Sequence, residues 1–195
     1  MKNESKNFTY YILKPIFLTI AVVIILLTFV CRFAVVDGPS MQNTLHNNDL
    51  VFITTSYPFT DELSDIIPFD FSLKQGDIVA VAPNNNTDNE YNIDNAFIKR
   101  IIAVEGQTIG FDTDNGEVYV DGKVIHEPYV SSDTFTGVEW EIPDVIPEGK
   151  VFVMGDNRAV SVDSRSVRIQ LVDKKDIIGK VQCVVYPFDK ISYVY

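Results

Sequence analysis

The sequence predicts a mainly β domain carried on one N-terminal transmembrane helix. Three observations predict it. Residues 15–36 form an apolar run interrupted by one charge, the chain beyond them is built of short β-branched and aromatic runs broken by turn residues, and no stretch of useful length there repeats with helical period. At 195 residues the chain has room for one folded domain and an appendage.

The apolar run reads PIFLTIAVVIILLTFVC from Pro15 to Cys31, without a charge, and continues as FAVV past Arg32 to Val36. About 20 residues at helical rise cross the hydrocarbon core, so 15–36 spans it with Arg32 snorkelling to the interface. Lys2, Lys6 and Lys14 precede the run, which by the positive-inside rule makes 1–14 a cytoplasmic tail and places 37–195 outside the cell membrane. A removable signal peptide would need small residues of Ala-x-Ala type behind the run. CRFA sets Arg32 at the outer small position and AVVD brings bulky Val36 near the cut, so an uncleaved anchor is expected.

Beyond the anchor, DLVFITTSY (49–57), GDIVAVAP (76–83) and AFIKRIIAV (96–104) read as strands. EVYVDGKVIHEPYV (117–130) sets Asp121-Gly122 between two β-branched runs, a strong hairpin signal. KVFVMGDN (150–157) and IIGKVQCVVYPF (177–188) supply two more strands. TDELSDII holds at most a helical turn, and the asparagine-rich 83–95 reads as an exposed loop. Residues 57–71, with Tyr57, Phe59, Phe69 and Phe71, read as a loop capping the core, with a surface dipping into the membrane interface as the alternative.

Composition excludes several function classes. Sixteen Lys and Arg against 27 Asp and Glu give a formal charge of −11, the wrong sign for neutralising phosphates, so no nucleic-acid partner is expected. Two distant cysteines, Cys31 and Cys183, do not make a disulfide framework. With His46 and His126 as the only histidines and no H-E-x-x-H or Cys-x-x-Cys, neither a metal nor another cofactor is expected.

The reactive candidates lie in three stretches. In DGPSMQNTL (37–45) a serine, Ser40, follows a Gly-Pro turn just beyond the anchor. A serine hydroxyl is weak until a base takes its proton, and no G-x-S-x-G elbow or well-placed histidine offers a triad. Lysine is the alternative base, provided its pKa falls from about 10.4 toward neutrality. In AFIKRIIAV, alternation sets Phe97, Lys99 and Ile101 on one face and Ile98, Arg100 and Ile102 on the other, so one cation must point into an apolar face. An inward Lys99 would lose its proton more easily. GDNRAVSVDSR (155–165) packs Asp156, Arg158, Asp163 and Arg165 around Ser161 and Ser164, either a solvated turn or a salt-bridged scaffold.

SMQNTL at 40–45, GDIVAV at 76–81, KRIIAVEGQTI at 99–109 and GDNRAVSVDSR at 155–165, in this order behind an anchor, resemble the sequence boxes of type I signal peptidases in their compact Gram-positive form. The resemblance implies a signal-peptidase/LexA-like β-sheet catalytic domain over 37–195 and a membrane-bound serine endopeptidase that removes signal peptides from exported preproteins. By that resemblance Ser40 is the nucleophile and Lys99 the general base, Ser161 orients the Lys99 amine, and Asp156, Arg158, Asp163 and Arg165 hold their loop by ion pairs. The oxyanion meets the Ser40 N–H and a group two positions earlier, here Gly38, which has no hydroxyl. The family usually has proline where this chain has Asn43; here Pro39 precedes the serine. The partners implied are signal peptides and membrane lipid, with a monomeric enzyme. A specialised or weakly active paralogue and a non-enzymatic tethered binding domain are the alternatives. The self-cleaving regulators that share Ser/Lys chemistry would need a DNA-binding module, which the acidic chain argues against.

Overall fold

The structure, a computed structural model, describes residues 9–29, 31–55, 72–82, 96–130 and 137–194. The expectations for TDELSDII, for 57–71 and for the 83–95 loop lie outside the described residues.

A π-helical turn, Thr9–Leu13, runs into α1 (Lys14–Phe29), 16 residues of largely apolar sequence. Among the described residues no helix is long and apolar enough to cross a membrane. The helix is shorter than the apolar run because Cys31–Val35 is drawn into the sheet as β1, where all five residues pair with β2 (Leu50–Thr54). Phe33, Ala34 and Val35 suit a strand as well as a helix, and the β2 ladder supplies partners for their backbone.

The remaining strands follow the predicted runs: β3 (Ile78–Val81), β4 (Phe97–Val104), β5 (Ile109–Asp112), β6 (Glu117–Val120), β7 (Lys123–Val124), β8 (Lys150–Met154), β9 (Val172–Asp173), β10 (Ile177–Tyr186) and β11 (Ser192–Tyr193). All pairings are antiparallel. The larger sheet runs β1-β2-β10-β3-β4-β8-β9 with β11 added to β10, and β5-β6-β7 forms a small second sheet. β10 ties the larger sheet together: its first residues pair with β3 and its later ones with β2, across three irregularities of register. The Asp121-Gly122 turn forms as expected, with φ of 51° and 72°, the positive pair that a tight β6–β7 hairpin requires.

β3 is buried along its whole length. Ile78 and Ala80 pack with Val36, Met41, Leu45, Val51 and Ile53, whereas Val79 and Val81 pack with Ile101, Val151 and Val153. Alternate residues thus feed two cores, which is why the run is continuously apolar. The first core holds Met41 and Leu45 at 1% and 0% exposure. These two side chains pin the turn that carries Ser40 onto the sheet.

Candidate active site

The segment 37–49 leaves β1 and returns to β2 through a closed loop. Val36 N–H donates to Asp49 O at 2.8 Å and Asn48 N–H to Val36 O at 2.9 Å, while Leu45 N–H donates to Met41 O at 2.8 Å. Gly38 sits at φ +99°, a conformation glycine adopts without strain, and its N–H donates to Asn47 Oδ1 at 2.9 Å. That N–H is therefore already engaged. Asp49, buried, caps the loop by accepting from His46 N–H at 2.8 Å.

Ser40 and Lys99, 59 residues apart, meet: Lys99 Nζ donates to Ser40 Oγ at 2.9 Å and to Ile98 O at 3.0 Å. The lysine reaches the serine from β4 and is 3% exposed, with its Nζ 5.6 Å from the centre of the Phe97 ring. Burial lowers its pKa from 10.5 to about 8; the nearby charges of Asp163 and Asp156 pull it back up and Arg165 pushes it down.

Sequence alternation required one cation of Lys99-Arg100 to point inward, and both are buried, because β4 is covered on both faces. Arg100 went unassigned in the sequence reading. Its Nε and Nη2 donate to Asp156 at 2.9 and 2.7 Å, its Nη1 donates to Gly76 O at 2.9 Å, and its guanidinium lies 3.8 Å from the centre of the Tyr129 ring. A cation in an apolar strand was the signal; the two partners, 56 and 29 positions away, carried none.

The 155–165 loop is ordered by ion pairs, although not all of them within itself. Asp163 and Arg165 pair with each other, at 2.8 Å through both Nε and Nη2. Burial raises the Asp163 carboxyl, but the Arg165 hydrogen bonds and charge, with the Gly155 N–H, outweigh it and hold the pKa below its ordinary value. Asp156 pairs with Arg100 and also accepts from the Thr44 hydroxyl. Arg158 pairs with Glu127, outside the loop, and donates through Nε to Gly155 O at 3.2 Å. Asn157 N–H donates to Ser40 O at 3.0 Å, stitching the loop to the serine turn.

Ser161 differs from expectation. Its Oγ is buried beside the Asp163 carboxyl, whose pKa it helps to lower, and Lys99 Nζ bonds to Ser40 and Ile98 instead. The hydroxyl lies against Gly155, where an added Cβ would sit 2.3 Å from it and 2.5 Å from Ser40 O. Only a glycine lets these three segments approach so closely.

Beside Ser40 a cavity of about 310 Å³ is lined by Ala34, Val36, Met41, Ala80, Ala96 and Ile98 among others. Such an arrangement can cleave an acyl bond: the amine takes the hydroxyl proton, the oxygen attacks the carbonyl, and the cavity holds a small side chain beside it. These are the parts of a serine hydrolase on a β scaffold.

The family model and the sequence relatives agree with that class. The family model for signal peptidase, peptidase S26, matches residues 9–186. Signal peptidase I of Bacillus licheniformis is 32% identical over 195 residues, covering 96% of this chain and 94% of that protein. Signal peptidase I S of Bacillus subtilis (strain 168) is 34% identical over 201 residues, covering 97% of each. The crystal structure of a signal peptidase I from Enterococcus faecalis V583, 27% identical, covers 56% of this chain and 96% of that chain at a TM-score of 0.44. The chain belongs to the signal peptidase family, peptidase S26, and is a serine peptidase.

Proposed function

We propose that the protein is a membrane-anchored signal peptidase that cuts exported preproteins with Ser40 as nucleophile and Lys99 as general base. The observation that carries this reading is the 2.9 Å bond between Lys99 Nζ and Ser40 Oγ, made by a buried lysine whose pKa has fallen to about 8. At neutral pH a useful fraction of that amine is free to accept a proton.

The geometry supports the following steps. Neutral Lys99 takes the Ser40 proton as Oγ bonds to the scissile carbonyl carbon, and the carbonyl π electrons move to oxygen. The oxyanion meets the Ser40 N–H; the Gly38 N–H, bound to Asn47, is not assigned to it. Collapse breaks the C–N bond, and the Lys99 ammonium returns the proton to the leaving amine. Water, deprotonated by Lys99, then attacks the acyl ester, and the proton passes back to Ser40 as the ester C–O bond breaks. Ser161 is assigned the support of the lysine: an ammonium has three donors, two are engaged, and a buried hydroxyl gains by accepting the third.

The substrate reading rests on shape. β1 pairs along one edge with β2 and stands at the end of the sheet, so an extended peptide can add to its other edge. Alternate side chains of such a peptide point the same way, and the small alanine-rich cavity beside Ser40 suits small ones. The anchor reading rests on α1, where Ile16, Phe17, Leu18, Ile20, Val22, Val23 and Ile24 are all exposed. A helix apolar on all sides requires a non-aqueous surrounding. With the N-terminus cytoplasmic, a tethered catalytic domain acts outside, at a high effective concentration over membrane-held substrates.

The test is cleavage of a preprotein carrying an Ala-x-Ala site by the full chain in lipid vesicles, with Ser40→Ala and Lys99→Ala alongside. Cutting after that site by wild type, lost in both folded variants, is expected. Wild-type levels of cutting by Ser40→Ala would overturn the assignment of the nucleophile.

A further inference from the structure

We propose that Glu127 and Tyr129, on the segment leaving the β6–β7 hairpin, are positioning residues for the Ser40–Lys99 pair, holding both guanidiniums that fix the 155–157 backbone against the serine turn. This inference rests on the assignment of Ser40 and Lys99 above.

Two buried arginines hold the 155–157 segment, Arg158 through its backbone and Arg100 through the Asp156 side chain. Arg158 donates to Gly155 O, and its Nη2 ends on the Glu127 carboxylate. Arg100 grips Asp156 with two donors and also reaches Thr44 Oγ1 at 3.3 Å. Glu127 and Tyr129 serve both. The Glu127 Oε1 that pairs with Arg158 also accepts from the Tyr129 hydroxyl at 2.9 Å, and the Tyr129 ring faces the Arg100 guanidinium at 3.8 Å. Burial, then the Glu127 charge, push the Tyr129 hydroxyl pKa up, so it stays a donor.

The chain of contacts ends at the nucleophile. Gly155 packs against Ser40 O and the Ser161 hydroxyl, Asn157 N–H bonds Ser40 O, and Thr44 of the serine turn bonds Asp156. Among the described residues neither Glu127 nor Tyr129 is bonded to Ser40 or Lys99, so both act through the arginines. Removing the Glu127 charge leaves Arg158 as a buried, uncompensated cation behind the loop. The charged groups around Lys99 are Asp156, Asp163 and Arg165, with Arg100 behind Asp156. Neither Glu127 nor Arg158 is among them, so the change falls on the position of the loop and not on the proton affinity of Lys99. A positioning role lowers kcat in folded protein, whereas a purely structural role lowers only the folded fraction.

The experiment compares kcat, KM and the pH dependence of kcat/KM for the full chain in lipid vesicles, using wild type, Glu127→Gln, Tyr129→Phe and Tyr129→Leu, with circular dichroism to establish folding. A displacement of about 1 Å can cost 10²-fold, so a partial one in Glu127→Gln is expected to lower kcat about tenfold. KM should stay within about twofold and the acidic limb should keep its position. Tyr129→Leu loses the ring and is expected to fall about tenfold in kcat, whereas Tyr129→Phe keeps the ring and stays within about threefold. If Glu127→Gln fails to fold, the contrast between the two Tyr129 variants decides. Wild-type kcat in folded Glu127→Gln and Tyr129→Leu would overturn the inference, as would losses that match the unfolded fraction at every pH. Both outcomes are distinct from failure of the underlying assignment, which would show as activity in Ser40→Ala or Lys99→Ala.

Discussion

Replacing Lys99 with methionine should make the protein more stable at neutral pH while abolishing its activity. Lys99 is 3% exposed, and burial takes its pKa from 10.5 to about 8. At 1.36 kcal/mol per tenfold change in proton affinity, the folded state carries a penalty of about 3 kcal/mol on the ammonium. Methionine fills a similar volume without charge, but gives up the bonds to Ser40 Oγ and Ile98 O, at about 1 kcal/mol each. The balance is a gain of roughly 1 kcal/mol at pH 7. The pH dependence then has a definite sign. Below pH 8 both folded and unfolded wild type hold the proton and the penalty is complete. Between pH 8 and 10.5 the unfolded chain binds the proton and the folded chain does not, so wild-type stability rises with pH relative to the variant. Above 10.5 the penalty is gone and wild type is the more stable by roughly 2 kcal/mol. Urea unfolding of both proteins from pH 6 to 11, followed by Trp140 fluorescence in detergent, should therefore give stability curves that cross. Parallel curves would refute the reasoning, since they would mean that the amine is no more desolvated in the folded state than in the unfolded one.

The same lowered pKa requires kcat/KM of wild type to climb with pH to a midpoint near about 8, and a flat profile from pH 6 to 9 would separate Lys99 from the proton transfer. Gly155→Ala should cut kcat by about 10²-fold, because its Cβ would stand 2.5 Å from Ser40 O, a backbone atom, and something must shift; near-normal turnover would show that the three segments are not tightly packed. Asp156→Ala leaves Arg100 buried without a counter-charge and should lose about 3–5 kcal/mol in urea unfolding, whereas Arg100→Met with Asp156→Leu should lose less. Equal losses in the single and double variants would argue that the pair acts through packing alone.

Ser40 and Lys99 were legible because their signals are local: a serine in a turn just beyond an apolar segment, and cations inside an otherwise apolar strand. The strands were legible for the same reason, since β3, β4 and β8 carry their burial in consecutive residues. β1 was not, because Phe33 to Val35 continue an apolar run whose composition suits helix and strand equally; pairing with β2, fifteen to nineteen positions away for these residues, decides it. The partners of the loop arginines were hidden more deeply. Arg158 has Asp156 two positions away, yet it pairs with Glu127, and Asp156 goes to Arg100 instead. Nothing in the loop sequence distinguishes these exchanges, because side-chain reach across three segments is fixed only once the sheet has brought them together.

That exchange of partners bears on how one cation is kept available for chemistry. Among the described residues four cations are buried: Lys99, Arg100, Arg158 and Arg165. The three guanidiniums each hold a carboxylate, from Asp156, Glu127 and Asp163 respectively. A guanidinium cannot surrender its proton in a protein, so it must be paired to be buried. Lys99 bonds to a hydroxyl and a carbonyl, neither of which carries a full negative charge to fix the proton in place. Had Asp156 or Asp163 been left without its arginine, its charge would act on Lys99 at full strength and raise the lysine pKa back toward 10.5. The arginines therefore do more than order the loop. By occupying the carboxylates they leave the amine to desolvation, and desolvation is what makes a lysine a base near neutral pH.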